Sequence, residues 1–236
     1  MKTLMTAYWT HLLTISFETD KFFLEKFLPA GTGLDDWKGK YCMSLVGFMF
    51  DKPRILGFPS PFYKSFPEIN LRFYVKRKEK DEWKKGVVFI KEIAPSVLIG
   101  KVAKFLYSEN FISLPVKHEY LNNNGCIQTR YCCQLNNEWN VLYMECGGVT
   151  ANPQEDTLDY FISEHYWAYT RTGKNKTKEF RVEHRPWQIF PATKLEMKID
   201  TATIYGGGFE RYLSKEPISA FLMDGSFTKV SWPVLL

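Results

Sequence analysis

The chain has 236 residues, of which 45% are hydrophobic and 17% aromatic, and a net charge of +5. So many large rings supply the core of a sizeable fold, read as one domain over residues 1–236. The slight charge excludes a nucleic-acid stripe, since Glu79, Asp81 and Glu82 interrupt the densest basic run, Lys76 to Lys85. Leu12 to Phe17 then reads as a first strand. Asp20 is placed to cap a helix whose apolar stripe is Phe22, Phe23, Leu24, Phe27 and Leu28, ended by Pro29, Gly31 and Gly33. Tyr41 to Phe50 has strand character around Gly47, and Asp51-Lys52-Pro53 reads as a turn. The loop from Gly57 to Pro67 mixes prolines with Phe58, Phe62, Tyr63 and Phe66, a composition expected to pack onto the body.

Glu68 to Val75 alternates strictly. Ile69, Leu71, Phe73 and Val75 form one face, and Glu68, Asn70, Arg72 and Tyr74 the other. The apolar face belongs to a core. The polar face is either solvated or lines an enclosed cavity, and alternation by itself does not choose. The charged run Lys76 to Lys85 reads as a hairpin tip, with Val87 to Ile93 returning. Pro95-Ser96 begins a helix reaching about Ser108, with Leu98, Val102, Phe105 and Leu106 on one side.

A strand follows Leu114-Pro115-Val116-Lys117-His118. Asn122 to Gly125 is a hairpin turn, and Cys126–Leu135 pairs with Trp139–Cys146 around Asn136-Asn137. Asn152-Pro153 has the form of a helix start, with Leu158, Phe161, Ile162 and His165 along one side. Glu179 to Phe190 reads as a strand with Pro186 at an edge or bulge, Leu195 to Ile199 as another, and Ala220 to Val230 as the last. Thr201 to Gly206 is one helical turn. Nine to eleven strands with about three helices, joined mostly by hairpins, give an α+β, mainly antiparallel β fold.

Five cysteines, Cys42, Cys126, Cys132, Cys133 and Cys146, include no C-x-x-C pair, so reduced thiols are expected rather than disulfides or zinc. The four histidines lie far apart, so no metal is expected, and no nucleotide-cofactor motif is present: Gly206-Gly207-Gly208 lacks the spacing of a dinucleotide fingerprint. The first twenty residues have no continuous apolar core, and no run is long enough to span a bilayer; a cytoplasmic protein without a membrane partner is expected. The oligomeric state is not readable from the residues, and a homo-oligomer is compatible with them.

Several polar residues are candidates for a site. Glu68 and Arg72 share a strand face with about 13 Å between their backbones, a span that a ligand or Asn70 could bridge. His184 could serve as a general base or be held structurally at a strand end, and alternation sets it on the opposite face from Trp187. Arg130 could hold an anion or lie exposed. Lys101 and Lys104 read as helix-surface lysines.

The order of several motifs resembles a known family. These are Trp9; Leu28-Pro29 with Gly33-Leu34-Asp35; Ser44 to Phe48; Phe66, Glu68, Asn70-Leu71-Arg72 and Tyr74-Val75; Gly86-Val87 with Phe89; and Leu114-Pro115. Phe161, Glu164, Tyr166 and Tyr169, then Val182, His184, Pro186 and Trp187, complete the set. Together they are similar to the uncharacterised YqjF-like family, grouped by fold with acetoacetate decarboxylase. The resemblance covers nearly the whole chain. It implies an antiparallel β-cone or barrel around an interior cavity, without a known activity.

The decarboxylase relatives use a lysine that forms a Schiff base, beside a second lysine that lowers its pKa. The nearest match, Pro115-Val116-Lys117, has Val116 at the nucleophile's place, which argues against that chemistry here. The resulting expectation is an enclosed pocket for a small, carboxylate-bearing ligand, with Glu68, Lys117 and His184 as candidate catalytic groups. Asn70, Arg72, Tyr74, Arg130 and Trp187 are the candidate ligand-binding residues. The alternative is a non-catalytic ligand-binding or protein-interaction module anchored by the Phe-rich loop.

Overall fold

Long runs of strand-forming residues joined by tight left-handed turns make this chain a succession of antiparallel ladders. The structure, a computed structural model, describes residues 1–60, 63–97, 100–101, 106–108, 110–150 and 152–236. Phe62 of the Phe-rich loop, and Leu98, Val102 and Phe105 of the helix expected after Pro95, lie outside them.

The elements run β1 (Thr3–Thr19), α1 (Lys21–Glu25), β2 (Gly33–Leu34), β3 (Tyr41–Ile55), β4 (Phe58–Pro59), β5 (Ser65–Glu79), β6 (Glu82–Ala94) and β7 (Phe111–Ser113). Then follow β8 (Val116–Asn123), β9 (Cys126–Leu135), β10 (Glu138–Gly147), α2 (Leu158–Ser163), β11 (Trp167–Gly173) and β12 (Lys176–Glu183). The chain ends with β13 (Ile189–Lys198), α3 (Thr201–Tyr205), α4 (Glu210–Leu213), β14 (Ser219–Ser231) and β15 (Val234–Leu235). The turns are as the asparagines suggest: Asn124 and Gly125 have φ of 47° and 87°, and Asn136 and Asn137 of 49° and 63°, the left-handed pair of a type I′ hairpin.

Strand pairing closes on itself. The order β12-β11-β6-β5-β3-β1-β14 is completed by a β12–β14 pairing, giving a ring of seven strands. Two of its joints are short: β6 meets β11 in parallel at Gly86/Trp167 and Val87/Ala168, and β12 meets β14 at Val182/Val230 and Glu183/Lys229. A second sheet, β8-β9-β10-β13, grows from the ring because β13 pairs first with β14 and then with β10.

The alternation of the strands therefore builds two cores. Leu13, Ile15, Met43, Leu45, Leu71 and Phe73 face outward from the ring and pack against Tyr131, Leu142 and Met144 of the second sheet, with Phe23, Tyr205 and Tyr212 from the short helices. Val46, Phe48, Phe50, Phe66, Tyr74 and Val87 face into the ring. Gly47 makes the close approach of the layers possible: a Cβ there would lie 2.6 Å from the Tyr131 ring.

Of the one-residue bulges in the ring, three bear on which residues point into it. On β1 the register moves from Thr10/Met49 to Leu13/Gly47, with His11 at φ 53°. On β3 it moves from Tyr8/Asp51 to Thr6/Arg54, with Lys52 at φ 50°. On β6 it moves from Leu71/Lys91 to Arg72/Phe89. The second of these corrects the turn expected at Asp51-Lys52-Pro53: β3 runs straight through it, and the left-handed residue is a bulge within a paired strand.

Other boundaries shift for equally local reasons. β1 begins at Thr3, because its polar first half has one side on the ring and the other bare, with Tyr8 exposed. Asp20 does cap α1, accepting from the Phe23 amide at 3.0 Å, but that helix ends at Glu25 and leaves Phe22 exposed. The helix expected from Asn152-Pro153 starts instead at Leu158, where the Thr157 hydroxyl accepts from the Tyr160 amide at 3.2 Å. The strand expected over Glu179 to Phe190 is two strands, β12 and β13, in different parts of the fold, with Pro186 in the connection.

Candidate functional site

A cavity of about 170 Å³ lies inside the ring. Its walls come from strands far apart in sequence: Trp9 from β1, Phe48 and Phe50 from β3, Phe66 from β5, Phe89 from β6 and Phe180 from β12. The rings lock one another in place, Trp9 at 4.9 Å from Phe48 and Phe50 stacked at 4.7 Å on Phe66.

Into this apolar chamber the polar face of β5 projects Glu68, Asn70 and Arg72. Glu68 is 4% and Asn70 1% exposed, whereas Arg72 is half-buried. The Asn70 Nδ2 donates to Glu68 Oε1 at 3.3 Å. That contact fixes the amide's orientation, since a carboxylate only accepts, and it turns the other end, Oδ1, into the chamber as an acceptor. Among the described residues neither Asn70 Oδ1 nor Arg72 Nε has a hydrogen-bond partner, although both atoms are buried.

Sequence reasoning missed Glu92. It is 5% exposed, lines the same cavity, and stands opposite Asn70 in the β5–β6 ladder. Plain alternation from Val87 and Phe89 would turn Lys91 inward and Glu92 out. The bulge on β6 reverses this, and Lys91 instead donates to the Ile204 carbonyl on the outer side. A lysine in the inward register of an otherwise apolar strand was the one available signal.

Beyond Arg72 the interior becomes polar and closed. The Tyr74 phenol lies 2.6 Å from the Ser44 hydroxyl, which lies 2.7 Å from that of Ser16. Burial pushes the Tyr74 phenol up to about 12. Its ring lies 4.8 Å from that of His165. His165 Nε2 is 3.3 Å from Asp35 Oδ2, and Lys76 Nζ is 3.0 Å from Asp35 Oδ1. Burial lowers the His165 pKa despite the Asp35 carboxylate, whereas His165 and Lys76 together hold Asp35 below the usual carboxylate range.

Five expected site residues do not line the cavity: Tyr74, which lies beyond Arg72, and four that stand outside the ring or behind its wall. Lys117 is exposed on β8, its ammonium 4.4 Å from the centre of the Trp139 ring, while Val116 packs on the outer core. Arg130, on β9, lies over the Tyr143 ring at 5.0 Å and 3.8 Å from Glu119. These residues belong to the second sheet, which covers the ring from outside, so their side chains reach either the outer core or solvent. The Pro115-Val116-Lys117 segment therefore lies away from the chamber, and among the described residues no lysine lines it.

His184 and Trp187 also stand behind the wall. Because the chain leaves β12 at Glu183, alternation no longer applies, and the two rings stack at 3.7 Å rather than pointing apart. Trp187 is 3% exposed, donates to Ser226 Oγ at 2.9 Å and lies 6.3 Å from Trp9. Burial pushes His184 down to about 4, with Arg72 and Arg185 adding to it and its contact with the Arg185 carbonyl opposing. In the Phe-rich loop Phe58 is exposed and Phe66 buried. Among the described residues no cluster of three or more His, Cys, Asp or Glu side chains could hold a metal, and no helix is long and apolar enough to cross a membrane.

Comparison with known proteins agrees with this architecture. The acetoacetate decarboxylase of Legionella pneumophila superposes with a TM-score of 0.66 at 9% identity, covering 100% of this chain and 88% of that one. An acetoacetate decarboxylase-like enzyme from Sphingomonas wittichii RW1 gives 0.64 at 12%, covering 100% and 94%. The enduracididine biosynthesis enzyme MppR, complexed with the condensation product of pyruvate and imidazole 4-carboxaldehyde, gives 0.67 at 6%, covering 100% and 90%. At these identities the likeness is one of fold.

In sequence, the uncharacterized protein YqjF of Bacillus subtilis (strain 168) is 27% identical over 204 residues, 85% of this chain and 80% of that protein. Residues 6–226 match the model of DUF2071, an uncharacterized conserved protein family. The chain belongs to the DUF2071 family, in the acetoacetate decarboxylase-like fold that its Glu68–Val75 motif led us to expect.

Proposed function

We propose that this protein binds a small, largely apolar carboxylate in the chamber inside the ring, with Arg72 as its anion partner. The observation that carries the reading is the Arg72 side chain, which faces an aromatic-walled cavity with Nε buried and unmet among the described residues. A guanidinium in such surroundings is completed by a carboxylate through a charge-assisted bond. Glu68, in the same chamber, has the chemistry to accept or donate a proton to whatever is held there. MppR, which shares the fold, has also been solved complexed with pyruvate, an α-keto carboxylate. Schiff-base decarboxylation is not part of the proposal, because the Val116–Lys117 match lies on the second sheet.

The test is calorimetry with phenylacetate and its neutral amide, phenylacetamide, on the natural protein and on Arg72→Met. Phenylacetate should bind at least about tenfold tighter than the amide, and the substitution should erase that preference. Equal binding of acid and amide to the natural protein would overturn the proposal.

A further inference from the structure

The wall that carries Arg72 also holds an amide oxygen that the fold leaves unmet. Asn70 is 1% exposed and lines the chamber, and its Oδ1 is buried without a partner among the described residues. The amide cannot turn over to remove the mismatch. Its Nδ2 donates to Glu68 Oε1, and a reversal would set oxygen against oxygen. A buried acceptor in this state costs free energy until a donor reaches it.

Arg72 lies two residues from Asn70 on the same face, roughly 7 Å along the strand. Its guanidinium also donates to the Tyr74 phenol, which ties the head of the side chain down while Nε stays unmet. One wall therefore offers a charged donor and a neutral acceptor side by side. A plain carboxylate answers the first and leaves the second unmet. A ketone beside the acid would set one acceptor against another. A hydroxyl is complementary: its O–H donates to Asn70 Oδ1, and it brings no further charge among the aromatic rings. The size of the chamber limits the rest of the ligand. At about 170 Å³ it is close to the engineered cavity of about 150 Å³ that accepts benzene.

From this we infer that the ligand class is a hydroxy carboxylate with a compact apolar or aromatic body, its acid on Arg72 and its hydroxyl donating to Asn70 Oδ1. The inference rests on the carboxylate reading above and adds the hydroxyl to it.

Three acids that differ at one carbon test it. Mandelate carries the hydroxyl, phenylacetate has only hydrogen there, and phenylglyoxylate has a ketone. Titrated calorimetrically into the natural protein near pH 7, the better-bound enantiomer of mandelate should bind at least about tenfold tighter than either of the others. Asn70→Ala, checked for folding by thermal melting, should bring the three acids to within about twofold of one another. The comparison on the natural protein decides the matter even where that variant fails to fold.

Phenylacetate or phenylglyoxylate binding as tightly as mandelate would overturn the inference; the carboxylate reading then stands as long as phenylacetate still outbinds phenylacetamide. A preference for mandelate that survives in folded Asn70→Ala would overturn the inference too, since the hydroxyl would be met elsewhere. Binding by none of the three would overturn both readings.

Discussion

Glu92 and Asn70 face each other across the β5–β6 ladder, and a single extra residue on β6 makes them neighbours inside the ring. Without that bulge Lys91 would occupy the inward register and the carboxylate would lie on the outer side. Inserting one alanine between Lys91 and Glu92 should shift the alternation by one residue and turn Glu92 outward. The variant's amide spectrum should change mainly at β5 and β6. Shifts spread evenly over the ring would indicate general disruption instead.

Replacing Asn70 by alanine strips Glu68 of its amide donor in a site almost without solvent. The cost of leaving a buried group short of a partner is about 1–3 kcal/mol. The urea midpoint should fall accordingly, with an unchanged m-value. Asn70→Asp should be worse, because it adds a third carboxylate to the same wall.

Ser44 is the middle member of the buried chain that joins Tyr74 to Ser16. Ser44→Ala leaves the Ser16 hydroxyl stranded and Tyr74 with only its contact to Arg72, and should destabilise by about 1–3 kcal/mol, while Ser16→Ala, which removes an end, should cost less. Equal losses in chemical denaturation would show that the three hydroxyls do not act as a chain.

Gly47 admits the Tyr131 ring at a distance no Cβ tolerates. Gly47→Val should push the second sheet off the ring, costing about 1–3 kcal/mol or more as overpacking does. Loss of Tyr131 near-ultraviolet signal before loss of far-ultraviolet signal is the expected signature.

Burial lowers the pKa of all four histidines, and two of them are shifted far enough to dominate their share of the response to acid. His118 and His184 are each pushed down to about 4, chiefly by burial; the neighbouring His11 adds to this at His118, and Arg72 adds to it at His184. Their folded pKa values lie below the ordinary 6.5, so the unfolded chain binds protons more readily. The stability they contribute is complete above about pH 6.5 and is lost as pH falls toward 4, with a limiting slope of about 1.4 kcal/mol per unit for each group. Melting temperatures measured between pH 7 and 4 should show this decline, and the double variant His118→Phe, His184→Phe should make it shallower.

Much of the fold could be read from the residues because strand alternation and asparagine turns are local signals. Glu68–Val75, the hairpins at Asn124-Gly125 and Asn136-Asn137, and the cap at Asp20 needed no tertiary information. The inward row of Glu68, Asn70 and Arg72 followed from the same alternation. What alternation could not carry was its own interruption. Three bulges, at His11, Lys52 and before Lys91, each reverse the inside and outside of a strand, and only pairing across the ladder shows where they fall. Glu92 was hidden for that reason. Lys117 and Arg130 were misplaced for another: a strand sequence states which residues share a face, but not whether the strand belongs to the ring or to the sheet laid over it.

The ring is sewn shut by the end of the chain. β1 pairs with β14, and β14 in turn reaches β12. During synthesis, Trp9, Phe48 and Glu68 emerge long before Val230, which completes the lining. The nascent chain must carry its aromatic wall exposed until the last long strand leaves the ribosome, so the cavity takes shape only once β14 has paired, and folding should be slow for its length.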